Sequence, residues 1–198
     1  MAVGSGIAAQ VGWKAETTYG TAVTVDRFLP LISESISDDY QRSVSDDIVA
    51  GAYTMLQEQQ RLGNKSFAGS VSFPLVNRNV AELFYMAIGG KSTSGAGPYT
   101  HSITPADQTG KMLTLQVGRP DNGGTVRPFT YEGVKVKALK LNCSQGEFAK
   151  LDLDVVAEDV ATGTALATAS YPASLVRYHS NDLAITIGGT AACVRSFE

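Results

Sequence analysis

In residues 65–73 the apolar positions fall on every second residue, with Phe67, Gly69, Val71 and Phe73 on one parity and Ser66, Ala68, Ser70 and Ser72 on the other. A period of two predicts a β-strand with one face on a core and the other, here small and hydroxylated, toward solvent. Residues 149–158 repeat the pattern, setting Ala149, Leu151, Leu153, Val155 and Ala157 against Lys150, Asp152, Asp154 and Glu158. Leu113, Leu115 and Val117 mark a third strand. In residues 131–143 the phase changes: Val134 and Val136 share one parity, Leu139 and Leu141 the other, which predicts a bulge near Ala138 that re-aims the strand. Shorter strand signals lie at 99–103 and 183–187. A further one starts at 192–198, where the chain ends inside it, so the expectation is that another chain completes this element or that the natural protein is longer.

One segment has helical periodicity. Val80, Leu83, Phe84, Ala87 and Ile88 recur at the spacing of a single apolar face, Asn79 and Glu82 stand in a capping-box arrangement, and Gly89 and Gly90 end the run. The pattern predicts a helix over 79–88, packed on a sheet because so short a helix is marginal alone. DNGG at 121–124 and Gln145 with Gly146 are turn signals, 91–98 is a Gly/Ser-rich loop, and 161–170 is small and weakly patterned. Residues 21–36 are rich in β-formers, but Pro30 removes a ladder donor and confines any strand there to an edge or a bend.

The longest departure from these patterns is 37–64, a polar run between strand signals that is too long for an ordinary connection. Tyr40, Ile48, Val49, Tyr53, Met55 and Leu56 give it apolar anchors that a free linker lacks. The expectation is an arm ordered against something outside its own domain. Residues 1–11 are expected to form a flexible N-terminal arm, and 12–198 a single domain. Trp13, the sole tryptophan, lies with Tyr19 in GWKAETTYG; it is either a core anchor or an anchor at a subunit contact.

Composition mostly excludes. Charged residues are 18% and glycines 20 of 198, a strand-and-turn composition, charged residues being below the roughly 25% of an average domain. The net charge of −3 argues against a protein that grips nucleic acid, while leaving contact without binding open. Cys143 and Cys193 have no CxxC or Cys/His spacing and predict two small thiols rather than a zinc site or disulfide. There is no basic leader followed by an apolar core and no run near the ~18 apolar residues of a span, so neither a secretion signal nor a membrane anchor is expected. His101 and His179 are far apart, and the pairs Asp38-Asp39 and Asp46-Asp47 miss the ligand register of a calcium loop. Asp152, Asp154 and Glu158 make an acidic row without a visible acid/base partner. No nucleophile elbow, HExxH, P-loop or helix-opening GxGxxG is present, so the sequence offers no reason to expect an enzyme, a metal or a cofactor.

The elements follow in the order GWKAETTYGT, FLPLISESIS, the long polar run, KSFAGSVSFPL, NVAELFYMAIGG, YTHSITP, MLTLQVGRP, YEGVKVKALKLNCSQGEFAKLDLDVVAED and VRSFE. Over nearly its whole length this order resembles the tail tube (major tail) proteins of long, non-contractile bacteriophage tails, whose fold is similar to the type VI secretion tube protein. The resemblance implies a mainly β fold: a β-sandwich or half-barrel with one packed helix and a long inter-strand loop. It further implies assembly into hexameric rings whose sheets close an inner β-barrel, a closure that removes exposed strand edges. The rings stack into a tube through which DNA passes into the host. On this reading the 37–64 loop and the N-terminal arm reach neighbouring subunits and rings, with Trp13, Tyr19, Tyr40, Arg42, Ile48, Tyr53, Met55, Leu56 and Arg61 as contact candidates. Ser66, Ser70, Ser72, Asp152 and Asp154 are candidates to line the lumen, where an acidic or neutral wall lets DNA pass without sticking. Implied partners are further copies of the chain and the tail tip or baseplate, tape measure and tail terminator proteins. The implied location is the virion tail, after synthesis in the host bacterial cytoplasm. The chain departs from the family at its end, because relatives usually continue past VRSFE. Two other classes stay open: a related tail ring, baseplate or phage-like secretion tube component, and a soluble β-sandwich binding module. An enzyme is the third choice, with Asp152 or His101 as the residues to mutate.

Overall fold

The alternating segments form one antiparallel sheet that bends back over its own apolar face. The computed structural model describes residues 6–51, 53–54, 56–97, 99–182, 184–187, 190–192 and 196–197. Its elements are β1 (Gln10–Ala15), β2 (Arg27–Phe28), β3 (Ser33–Glu34), β4 (Ser37–Val44), β5 (Gln60–Pro74), α1 (Val80–Ile88), β6 (Gly89–Ser94), β7 (Thr100–Pro105), β8 (Leu113–Pro120), β9 (Val126–Ser144), β10 (Lys150–Ala157), β11 (Asp159–Ala161), β12 (Ile185–Ile187), β13 (Thr190–Ala192) and β14 (Ser196–Phe197). The main sheet runs β2-β1-β8-β9-β10-β5-β3, with β4 also on β5 and with β11 and β14 also on β9. β12 and β13 pair separately.

β9 is the corner of the molecule. Its first half, to Val134, pairs with β8, and its second half, from Lys135 to Asn142, pairs with β10. The register against β10 slips between Asp154 and Val155, which face Ala138 and Val136, so Lys137 is the extra residue of a bulge at the predicted place. The bend lets strands distant in the sheet meet: Trp13 of β1 packs on Phe73 of β5 at 5.7 Å between ring centroids, although β8, β9 and β10 lie between them. Val11, Phe67, Val71, Leu115, Val117, Tyr131, Leu151 and Leu153 fill the space between the two halves. The result is the mainly β sandwich or half-barrel with one packed helix that the sequence implied. Of the expected N-terminal arm, Gln10 and Val11 belong to β1, and Val11 is in the core.

α1 closes one side through buried Val80, Leu83 and Met86. It begins differently from the expectation. Asn79 is left-handed (φ 64°) and makes no side-chain cap, because a capping side chain reaches the first amides from an extended backbone. The carboxylate of Glu82 is instead bonded by Arg27 of β2. The end is as expected: Gly89 has φ 101°, and a methyl group there would lie 2.5 Å from the Ala106 carbonyl oxygen. The expected loop at 91–98 is largely strand, since β6 and β7 pair from Gly89↔Pro105 to Ser94↔Thr100 and leave the glycine-rich stretch only the turn.

The 37–64 run is also more regular than a loop. β4 and the first part of β5 form a ladder from Ser37↔Ala68 to Val44↔Gln60, with one slip between Tyr40 and Arg42. The irregular connection shrinks to 45–59. The physical reason is that each strand supplies the other with one row of backbone partners, while the outer edges of this two-stranded ribbon stay open.

Candidate functional site

The arm leaves the sandwich at a clamped root. Arg119 of β8 donates to both carboxylate oxygens of Glu34 in β3, at 2.7 and 2.9 Å, and to the carbonyl of Ile36 at 2.6 Å. Its guanidinium also lies 4.6 Å from the centre of the Phe129 ring. One step along, the Tyr131 hydroxyl donates to Asp38 at the start of β4 (3.2 Å). Bonding to Glu34 holds the Arg119 pKa above its ordinary value, and burial, then the Asp38 carboxylate, pushes the Tyr131 phenol up to about 12. The close crossing at the root requires Gly69, where a methyl group would lie 2.5 Å from Ile36 Cα and from the Ser35 carbonyl oxygen. Sequence reading missed this clamp, because Glu34 and Arg119 lie 85 residues apart and neither stands in a motif.

Beyond the root every residue of β4 is exposed. Tyr40 is the last side chain to touch the body, edge-on to Phe67 at 5.7 Å. Arg42 donates to Gln60 across the ladder (3.2 Å), and Arg61 is exposed. At the tip Gln59 closes the connection, accepting from the Leu56 amide and donating to the Asp47 carbonyl, both at 2.7 Å. Leu56 is half-buried, whereas Ile48 is 96% and Tyr53 102% exposed. Leu62, 72% exposed, and Val44 add to the same apolar set and were passed over in the sequence, although their ladder positions leave both facing solvent. Met55 lies outside the described residues. Tyr19 stands away from the arm, beside Gly133, with its phenol bonded to Glu158; burial first, and then Glu158, raises its pKa. Trp13 is corrected: at 0% exposure against Phe73 it is a core residue and has no surface to offer a neighbour.

The five lumen candidates do share one face. Asp152 is opposite Ser72, and Asp154 is opposite Ser70, across the β10–β5 ladder, with Ser66 further along β5. Asp152 accepts from the Ser72 hydroxyl and from Asn142 (2.7 Å), Asp154 is 3.6 Å from the Lys140 ammonium, and the hydroxyls of Ser35 and Ser70 meet at 3.0 Å. The carboxylates are thus matched by donors on neighbouring strands, and the surface is hydroxylated and close to neutral. The remaining chemistry stays dispersed. His101 bonds Thr93 on the β6–β7 hairpin, His179 packs edge-on to Phe148, Cys143 is a buried free thiol, and Cys193 lies outside the described residues. Among the described residues no cluster could hold a metal ion, and no helix is long and apolar enough to cross a membrane.

The family model for phage tail tube proteins matches residues 6–198. The chain belongs to that family. A tail tube protein has a structural role and is a component of the virion tail. A search of curated proteins finds no match. A solved structure described as the virion of a native gene transfer agent particle is similar to this tail tube protein at 11% identity, covering 81% of this chain and 98% of that chain with a TM-score of 0.49.

Proposed function

We propose that the chain closes into hexameric rings that stack into the tail tube, with the arm joining successive rings and the Ser66–Ser70–Ser72–Asp152–Asp154 face lining the lumen. The observation that carries this reading is the arm itself: a two-stranded ribbon with open edges, on which Ile48, Tyr53 and Leu62 are held in water. Several large apolar side chains exposed on one projection mark a protein contact, and an unpaired strand edge does the same. The near-neutral face suits a wall past which DNA slides, because it presents no run of unpaired cations to exchange for phosphate counterions. In this role the chain is made in the host cytoplasm, meets tape measure, terminator and tip or baseplate proteins at assembly, carries no catalytic duty and lets DNA pass unbound.

The test is negative-stain electron microscopy of the intact chain beside a variant in which residues 41–64 are replaced by an Asn-Gly turn, which keeps Tyr40 opposite Lys65 and on Phe67. Tubes from the intact chain and single rings from the variant are expected. Monomers from the intact chain at high concentration, or tubes of equal length from both, overturn the reading.

A further inference from the structure

The turn between β8 and β9 carries chemistry that neither the arm nor the hydroxylated face uses. Asp121 and Thr125 close it as a three-residue loop: the Asp121 amide donates to the Thr125 carbonyl (2.8 Å), the Gly124 amide to the Asp121 carbonyl (3.0 Å), and Gly124 is left-handed at φ 85°. Asn122 and Gly123 stand at its apex, both exposed. The Asp121 side chain turns back toward them. Its Oδ1 accepts from the Gly123 amide and from the Thr125 amide, each at 2.9 Å, and its Oδ2 accepts from Arg127 Nε at 2.9 Å. The Thr125 amide first, and then Arg127, hold the Asp121 pKa below its ordinary value, so this acceptor is ionised at neutral pH.

We infer that Asn122 with Gly123 is a self-modification site, at which the asparagine side-chain amide is lost to attack by the main chain, and that Asp121 keeps the site closed. A backbone nitrogen attacks the side-chain carbonyl carbon of a preceding asparagine once hydroxide has taken its proton. The bond from Gly123 N to Asn122 Cγ forms and the bond from Cγ to the side-chain nitrogen breaks. Ammonia leaves with a proton from water, which restores the hydroxide. Water then opens the cyclic imide either to aspartate or to isoaspartate, whose main chain runs through the side-chain carboxyl and is one carbon longer. Glycine favours the attack, because no Cβ crowds its nitrogen. The turn opposes it twice. A carboxylate on the Gly123 proton makes that proton harder to remove, and the bond from Gly124 to Asp121 fixes the rotation that would bring nitrogen and carbon together. An isoaspartate cannot keep both backbone bonds of so short a loop. It lies beside the Arg119↔Arg127 and Pro120↔Val126 pairs of the ladder, next to the arginine that clamps the root of the arm. Modification here therefore loosens that root as the protein ages.

Peptide mass mapping over days at mildly alkaline pH tests it, with isoaspartate read by methyl transfer from an isoaspartate methyltransferase. The folded intact chain is expected to lose the Asn122 amide at least about tenfold more slowly than the same chain in denaturant, and folded Asp121→Ala to lose it at least about tenfold faster than the intact chain. Adding Gly123→Ala to Asp121→Ala should restore the slow rate. A methyl group at 123 meets only the Asp121 carboxylate, 3.2 Å away in the intact chain and absent from the double variant, so it fits there. Equal rates in the folded and unfolded intact chain, an Asp121→Ala variant no faster than the intact chain, or a fast rate that survives Gly123→Ala overturns the inference. If Asp121→Ala does not fold, hydrogen exchange of the intact chain decides: a Gly123 amide slower than in denaturant supports the restraint, and one equally fast overturns it.

Discussion

Arg119 meets both oxygens of Glu34 and the carbonyl of Ile36, and Tyr131 adds Asp38, so the direction in which the arm leaves the body is held by side chains outside the arm. The Tyr131 phenol has a folded pKa of about 12 against an ordinary value of 10.0. A raised pKa means that the folded state keeps its proton longer than the unfolded chain. Stability from this site is therefore complete below pH 10 and is lost as pH rises toward 12. Urea midpoints measured from neutral to strongly alkaline pH should fall across that window in the intact chain. Tyr131→Phe should flatten the fall while lowering neutral-pH stability by about 1 kcal/mol for the lost Asp38 bond. An unchanged alkaline slope in the variant would show that Tyr131 is not the titrating group. At this scale the sequence is a partial guide. It marked Trp13 as an anchor of one of two kinds, and only its contact with Phe73 settles that it is a core anchor, because that contact depends on the sheet bending.

Among the elements, β9 shows how local pattern determines shape. The switch from Val136 to Leu139 requires an extra residue if both are to face inward, and Lys137 is that residue. Deleting Lys137 leaves Val136 and Leu139 two positions apart and both still inward, so the leucines keep their burial while the bulge, and the bend it gives the strand, is lost. Thermal melting should show a loss of about 1–3 kcal/mol through contacts that depend on the bend, such as Trp13 on Phe73, and a melting temperature within a degree or two of the intact chain would mean that the bend does not depend on the bulge. The helix was legible for the same reason, since Val80 and Leu83 recur on one face and Gly89 ends it. Its cap was not, because Glu82 has a choice between the helix amides and Arg27, and the choice is made by the position of β2. The arm's ladder was hidden for a different reason: Ser37–Val44 is polar on both faces, so no alternation betrays a strand that has no core to face.

For the whole molecule, the outward face of β5, β10 and the second half of β9 matters through its charge balance. Asp152 and Asp154 offset Lys140 and Lys150 there. Replacing both aspartates by lysine should leave assembly intact, since these side chains point away from the core, but should make the assembled protein retain DNA with a steep salt dependence. Filter binding over a salt series checks this; DNA passing the variant as freely as the intact protein would place the face outside the lumen. What the sequence alone determined is periodicity and its interruptions: mainly β, one helix, a bulge near Ala138, a long polar excursion and the order of elements that marks the family. The tertiary structure decided which residues meet. The Glu34–Arg119 clamp, the Trp13–Phe73 contact and the backbone bonds of Val176 and Tyr178 with Asn77 and Leu75 all join residues far apart in the chain. Periodicity records which face a residue turns inward, but the bend at Lys137 selects what it meets there.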